Sequence, residues 1–135
     1  MNKIGIHYGS FVQNWMDDQL QFFKKVKELG FDLFEFGSDY LLAQDDAGLS
    51  RIKEEAAKNG IDLTISMGLT LDQDIASDEA AKRKTGIDLL TRMAKAMAKA
   101  GISDVSGIIY CPWNGKISGY DEKKKRWKTS VKSMK

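Results

Sequence analysis

The chain's single histidine, His7, sits where the run Lys3 to Tyr8 meets Gly9 and Ser10. A neutral imidazole there offers one donor and one acceptor, either to a ligand or to its own strand end, and the residues alone leave both readings open. Cys111 is the only cysteine, and no histidine is spaced to activate it, so it reads as a small buried residue and not as a nucleophile. Glu35 is the one acid within the four strand-like runs besides Asp32 and Asp62 at strand starts. It reads as a hydrogen-bonded structural carboxylate as readily as a catalytic one. These donors do not make a metal-ligand set, and no metal site is expected from them. Trp15 in a loop and Trp113 beside the only proline are poorly explained as core, which favours a pocket role for each. Trp127, Val131 and Met134 recur at i, i+4 and i+7, a helix stripe for which core packing is the expectation.

The elements that must carry these residues alternate. Lys3–Tyr8 is a strand pattern, then Leu20, Phe23, Val26 and Lys27 keep helical spacing until Gly30. Phe31–Phe36 is a second strand, too apolar for a solvated edge, and Gly37–Asp46 reads as a loop. Leu49, Ile52 and Ala56 mark a second helix ending at Asn59-Gly60, followed by the strand Ile61–Met67 closed by Gly68. Ser77 is suited to cap a third helix, with Asp78 and Glu79 in its first turn. That helix has Ile87, Leu90, Met93, Ala94 and Met97 on its apolar face and ends at Ala100-Gly101. The strand Val105–Tyr110 and a last helix from Glu122 to Lys135 complete the chain.

Strict strand and helix alternation implies an α/β fold of parallel strands with right-handed crossovers. No G-x-G-x-x-G follows the first strand and no G-x-x-x-x-G-K-[ST] occurs, so a nucleotide-phosphate cradle has no support. A doubly wound four-stranded sheet is one solution. The other is (β/α)4, half of a TIM-type barrel that typically needs ~250 residues, with residues 1–135 forming a single domain. In a barrel, function gathers at the carboxyl ends of the strands. His7, Trp15, Ser66, Met67 and the stretch Gly107–Trp113 would then share one face.

Composition narrows the setting. With 42% hydrophobic and 30% charged residues in 135, the chain is of globular type. Its apolar runs are far short of the ~20 residues that cross a bilayer, no targeting segment is expected, and membrane partners are not expected. One cysteine favours a reducing, cytoplasmic location. The net charge of +2 is uneven: residues 116–135 hold 8 basic and 2 acidic side chains. Lys123, Lys124, Lys125, Arg126, Lys128 and Lys132 fall at helical spacing around Trp127, which reads as a solvated face with an apolar underside and not as a nucleic-acid site.

Several residues in order carry a resemblance. Met1-Asn2-Lys3-Ile4-Gly5, Trp15, Leu29-Gly30-Phe31-Asp32 with Glu35, Asn59-Gly60-Ile61 leading to Ser66-Met67-Gly68-Leu69, and Tyr110-Cys111-Pro112-Trp113 resemble the ketose 3-epimerases. These are the D-tagatose/D-psicose 3-epimerases of the xylose-isomerase-like TIM barrels, and the likeness covers only their N-terminal half. The resemblance implies a sugar isomerase of carbohydrate metabolism acting on a free ketose. Its reaction would be C3 epimerisation, in which one of two glutamates removes the C3 proton and a proton is returned to C3 on the opposite face from the other, through an enediolate held by a divalent metal such as Mn or Mg. It also implies that those glutamates and the metal ligands lie on strands five to eight, so this chain by itself is expected to hold no cofactor and no catalytic residue. It assigns the counterparts of Trp15 and Trp113 to walls around the sugar, Ser66 and Ile108 to the pocket floor, and an aromatic where His7 stands. The alternative is a catalytically inactive half-barrel serving as an oligomeric sugar-binding or interaction module. Either way, two open sheet edges and an uncovered apolar inner face lead us to expect a homo-oligomer.

Overall fold

The computed structural model describes residues 2–135. Its strands are β1 (Gly5–His7), β2 (Leu33–Gly37), β3 (Asp62–Leu69) and β4 (Asp104–Pro112). Its helices are α1 (Phe23–Glu28), α2 (Ser38–Leu42), α3 (Asp46–Asn59), α4 (Ala80–Ala100) and α5 (Tyr120–Ser133). The strands form one sheet in the order β1-β2-β3-β4, with β1 and β2 parallel in the register His7 to Glu35, and β2 and β3 parallel in the register Gly37 to Ser66. The expected alternation is therefore present.

The chain divides into two compact units. The first contains the residues up to Ser66 together with Met93–Ser106. Phe34 and Phe36, two apart on β2 and so on one face of the sheet, are both fully buried. Phe23 of α1 meets Phe34 edge-on at 5.8 Å and Phe36 at 5.5 Å, and Tyr40 of α2 joins Phe36 at 5.8 Å. Each such ring removed from water contributes roughly 1.5–3 kcal/mol, plus about 1 kcal/mol for an edge-to-face pair. Helix α3 begins under an Asp45 cap, whose carboxylate accepts from the Gly48 N–H at 2.8 Å. It ends at Gly60 in the left-handed region (φ 62), where a β-carbon is unwelcome.

The second unit contains Met67–Arg92 and Gly107–Lys135. Leu69 and Ile75 are buried there. A β-carbon on Gly86 would lie 2.2 Å from the Gln73 carbonyl, which is how closely α4 packs on the turn after β3. Gly107 has φ 108, and a β-carbon there would lie 2.0 Å from the Met67 carbonyl oxygen. Only glycine lets β4 pass its neighbour at that point.

Four expectations change. The stretch Gly37–Asp46 contains the short helix α2, because Tyr40 and Leu41 find apolar partners that local spacing does not announce. Helix α4 starts at Ala80, so Asp78 and Glu79 precede it. Ser77 does bond the Glu79 N–H at 3.1 Å, but the Glu79 carbonyl accepts the first helical bond, from Arg83. On α4, Met93 and Met97 are buried as expected while Ala94 is exposed. Trp127 is 65% exposed, with Val131 and Met134 also open. The stripe exists, but the described residues leave it largely exposed.

Candidate functional site

In the first unit, β1 stops at His7 and the backbone enters a 3-10 turn at Tyr8. The Gly9 N–H donates to His7 Nδ1 at 3.0 Å. A neutral ring so engaged carries its proton on Nε2, which leaves that nitrogen as the free donor. The ring is half-buried beside Tyr8, at 4.4 Å between centroids, and Trp15 lies edge-on to both, at 5.4 Å from Tyr8 and 6.5 Å from His7. Trp15 is 63% exposed. A Trp face left in water beside a fixed N–H donor suits a ligand with both a C–H surface and hydroxyls.

The loop holding Trp15 is ordered by Asp17, whose carboxylate accepts from the N–H groups of Gln13 and Asn14 at 3.0 Å each. Those bonds, Asn14 first, hold the Asp17 carboxyl below its ordinary value. Gln19 is fully buried, and its side-chain oxygen accepts from the Gly37 N–H at 3.0 Å, fastening the loop to the end of β2. Gly37 is required because a β-carbon there would meet the Tyr8 ring at 2.6 Å. Tyr8 and Gln19 therefore build this site, and sequence reasoning passed over both. Alternation along a strand does not orient Tyr8, since the strand has already ended, and a lone Gln in a loop carries no periodic signal.

Glu35 accepts a hydrogen bond from the Ser106 hydroxyl, which lies 3.3 Å from the Ile65 carbonyl as well. It is a tie between strands, as the structural reading expected. Ser66 is half-buried on β3, opposite Gly37 in register.

The second unit holds the other two expected residues. Ile108 is half-buried in β4. Trp113 follows the strand, donates its backbone N–H to the Leu69 carbonyl at 2.9 Å, and is 68% exposed. With Gly68, Thr70, Leu71, Asp72 and Asn114 it lines an open cavity of about 600 Å³. The turn Leu71–Gln73 is fixed by a reciprocal cap in which the Thr70 N–H donates to Gln73 Oε1 at 3.1 Å. Cys111 is half-buried, and burial pushes its thiol above the ordinary value. A thiol shifted upward favours its protonated form over the thiolate that a nucleophile needs. Among the described residues no three His, Cys, Asp or Glu side chains stand close enough to hold a metal ion, so these donors do not fit the divalent site that the resemblance implies.

A model of the family described as xylose isomerase-like TIM barrel matches residues 23–135. The chain belongs to that family. Among curated relatives, the D-psicose 3-epimerase of Ruminiclostridium cellulolyticum is 30% identical over 98% of this chain and 45% of its own length. That of Agrobacterium fabrum is 31% identical over 82% of this chain and 38% of its own. Of solved structures, D-psicose 3-epimerase with D-tagatose from Clostridium cellulolyticum H10 superposes with a TM-score of 0.89 at 30% identity, covering 98% of this chain and 46% of that one. The chain thus spans less than half the length of the relatives it matches, and its four parallel strands with alternating helices correspond to the N-terminal half of a TIM-barrel epimerase.

Proposed function

We propose that this chain is the N-terminal half of a ketose 3-epimerase-like sugar isomerase and supplies walls of the sugar pocket. The observation that carries the reading is the His7, Tyr8 and Trp15 cluster at the carboxyl end of β1, with Nε2 of His7 left to donate. In this reading His7 donates to a ketose hydroxyl, the Trp15 and Trp113 faces take its C–H surface, and Ser66 and Ile108 contribute floor. Proton transfer at C3 and the divalent metal that supports it belong to residues outside these 135, because the chain's own donors do not fit a metal. We further place the chain in the reducing cytoplasm, supported by the free Cys111, and in a homo-oligomer, supported by the edge that β1 presents in the sheet of the described residues.

The same donor set favours a second reading for the isolated chain, a sugar-binding or interaction module without turnover. Titration with D-psicose and D-tagatose, followed by calorimetry and tryptophan fluorescence, tests the proposal. Saturable binding is expected. Trp15→Ala abolishes it and His7→Phe weakens it about fivefold to tenfold, the loss of one hydrogen bond worth ~1 kcal/mol. Binding that is absent, or indifferent to both substitutions, overturns it. Metal-dependent ketose turnover by the chain alone excludes the second reading.

A further inference from the structure

Gln19 is a fully buried polar side chain at the end of the loop that carries Trp15. Burying an amide is costly unless its oxygen and nitrogen both find partners, and those of Gln19 do. The Gly37 N–H donates to Oε1 at 3.0 Å, and Nε2 donates to the Trp15 carbonyl at the longer distance of 3.5 Å. The first bond fixes the amide's orientation, since an N–H needs the oxygen. It also stands in for a strand. β1 pairs with β2 only as far as His7 opposite Glu35, so two residues further along, the buried Gly37 N–H has no acceptor from β1. Gln19 supplies one at the point where His7 and Tyr8 leave the sheet.

The same side chain thereby reaches both walls of the cluster. The Tyr8 ring packs on the Gly37 backbone, and the Trp15 indole lies edge-on to Tyr8 and His7. Only Met16, Asp17 and Asp18 separate Trp15 from Gln19, and Asp17 already holds that turn through the N–H groups of Gln13 and Asn14. A displaced Gln19 therefore carries Trp15 with it. Gln21 is a natural contrast: it is exposed, and its side chain donates to the Asp18 carbonyl at 2.7 Å, a bond within the loop. We propose that Gln19 is a positioning residue for ketose binding, holding the Trp15 face at the spacing from His7 Nε2 that the sugar requires. This rests on the ketose reading above and deepens it by naming the side chain that sets the site's geometry.

Titration of the 135-residue chain with D-psicose and D-tagatose tests this, with circular dichroism to confirm that each variant folds. Gln19→Met keeps a side chain of similar length and loses both bonds, and it should raise the dissociation constant about fivefold or more. Gln21→Met should change it by less than about twofold. Gln19→Glu separates positioning from packing. As the neutral acid it reproduces both bonds; as the carboxylate it still accepts from Gly37 but repels the Trp15 carbonyl. Burial raises such a carboxyl, so the ratio of its dissociation constant to that of the unsubstituted chain should climb about fivefold between about pH 5 and pH 8. His7, Asp17, Asp18 and Tyr40, the titratable groups around this loop, are common to both chains and drop out of the ratio. A purely structural Gln19 would shift unfolding and leave the ratio flat. A folded Gln19→Met that binds like the unsubstituted chain, or a flat ratio, overturns the inference and leaves the ketose reading standing. Should one variant fail to fold, the other decides. An unsubstituted chain that binds neither sugar overturns the ketose reading, and the inference with it.

Discussion

Arg126 of α5 and Asp74, in the turn after β3, form an ion pair at 2.7 Å with their side chains only 19% and 9% exposed. Asp74 also accepts from the Ala76 N–H at 2.9 Å, so a single carboxylate fastens both its own turn and the last helix. The cluster Lys123 to Lys128 reads in sequence as a solvated basic face, and most of it is, but Arg126 is spent inside the second unit.

Removing one partner of that pair strands the other. Asp74→Ala should destabilise the chain by about 3 kcal/mol, the low end of the range for a buried pair because Arg126 keeps some contact with water. Arg126→Met, which keeps the stem's packing, should cost more than the exposed Lys124→Met in urea unfolding.

Two glycine substitutions should separate backbone strain from collision. Gly60→Ala meets only the Lys27 ammonium at 3.9 Å, so its cost is that of a left-handed residue, about 1 kcal/mol. Gly107→Ala adds a collision with the Met67 carbonyl, and its cost should exceed ~3 kcal/mol. Thermal unfolding of the two variants checks the order.

Alkaline pH should loosen the first unit through Tyr40. Burial first, then the hydrogen bond to Asp18 at 2.6 Å, pushes its hydroxyl well above the ordinary value of 10.0. A raised folded value means the contribution is complete below pH 10.0 and is lost as pH rises from there through the folded value. Stability measured from pH 9 upward should therefore fall, and Tyr40→Phe, at a cost of about 1 kcal/mol at neutral pH, should flatten that fall.

The strands, their order of appearance and the helix ends at Gly30, Gly60 and Gly101 were legible because period and glycine placement are local signals. His7 and Trp15 were legible as unusual residues at a strand end and in a loop. What brings them together was not, since Tyr8 against Gly37 and Gln19 against the Gly37 N–H are contacts between distant segments with no periodic trace. Helix α2 was missed for the same reason: five residues hold little intrinsic helicity, and Tyr40 is fixed by Phe36 and Asp18. The stripe on α5 shows the converse limit. Periodicity reveals an apolar face, but burial depends on whether an element covers it, and among the described residues Trp127 stays 65% exposed.

The central claim is that these residues form the pocket-bearing half of a ketose 3-epimerase-like isomerase. It is tested most directly by joining residues 1–135 to the complementary C-terminal half of the D-psicose 3-epimerase of Ruminiclostridium cellulolyticum and measuring C3 epimerisation of D-psicose with added divalent metal. The account predicts a folded chimera that is active only with metal and is impaired by Trp15→Ala in the part contributed by this chain. A folded, metal-binding chimera that leaves the ketose unchanged, or one indifferent to Trp15→Ala, would contradict it.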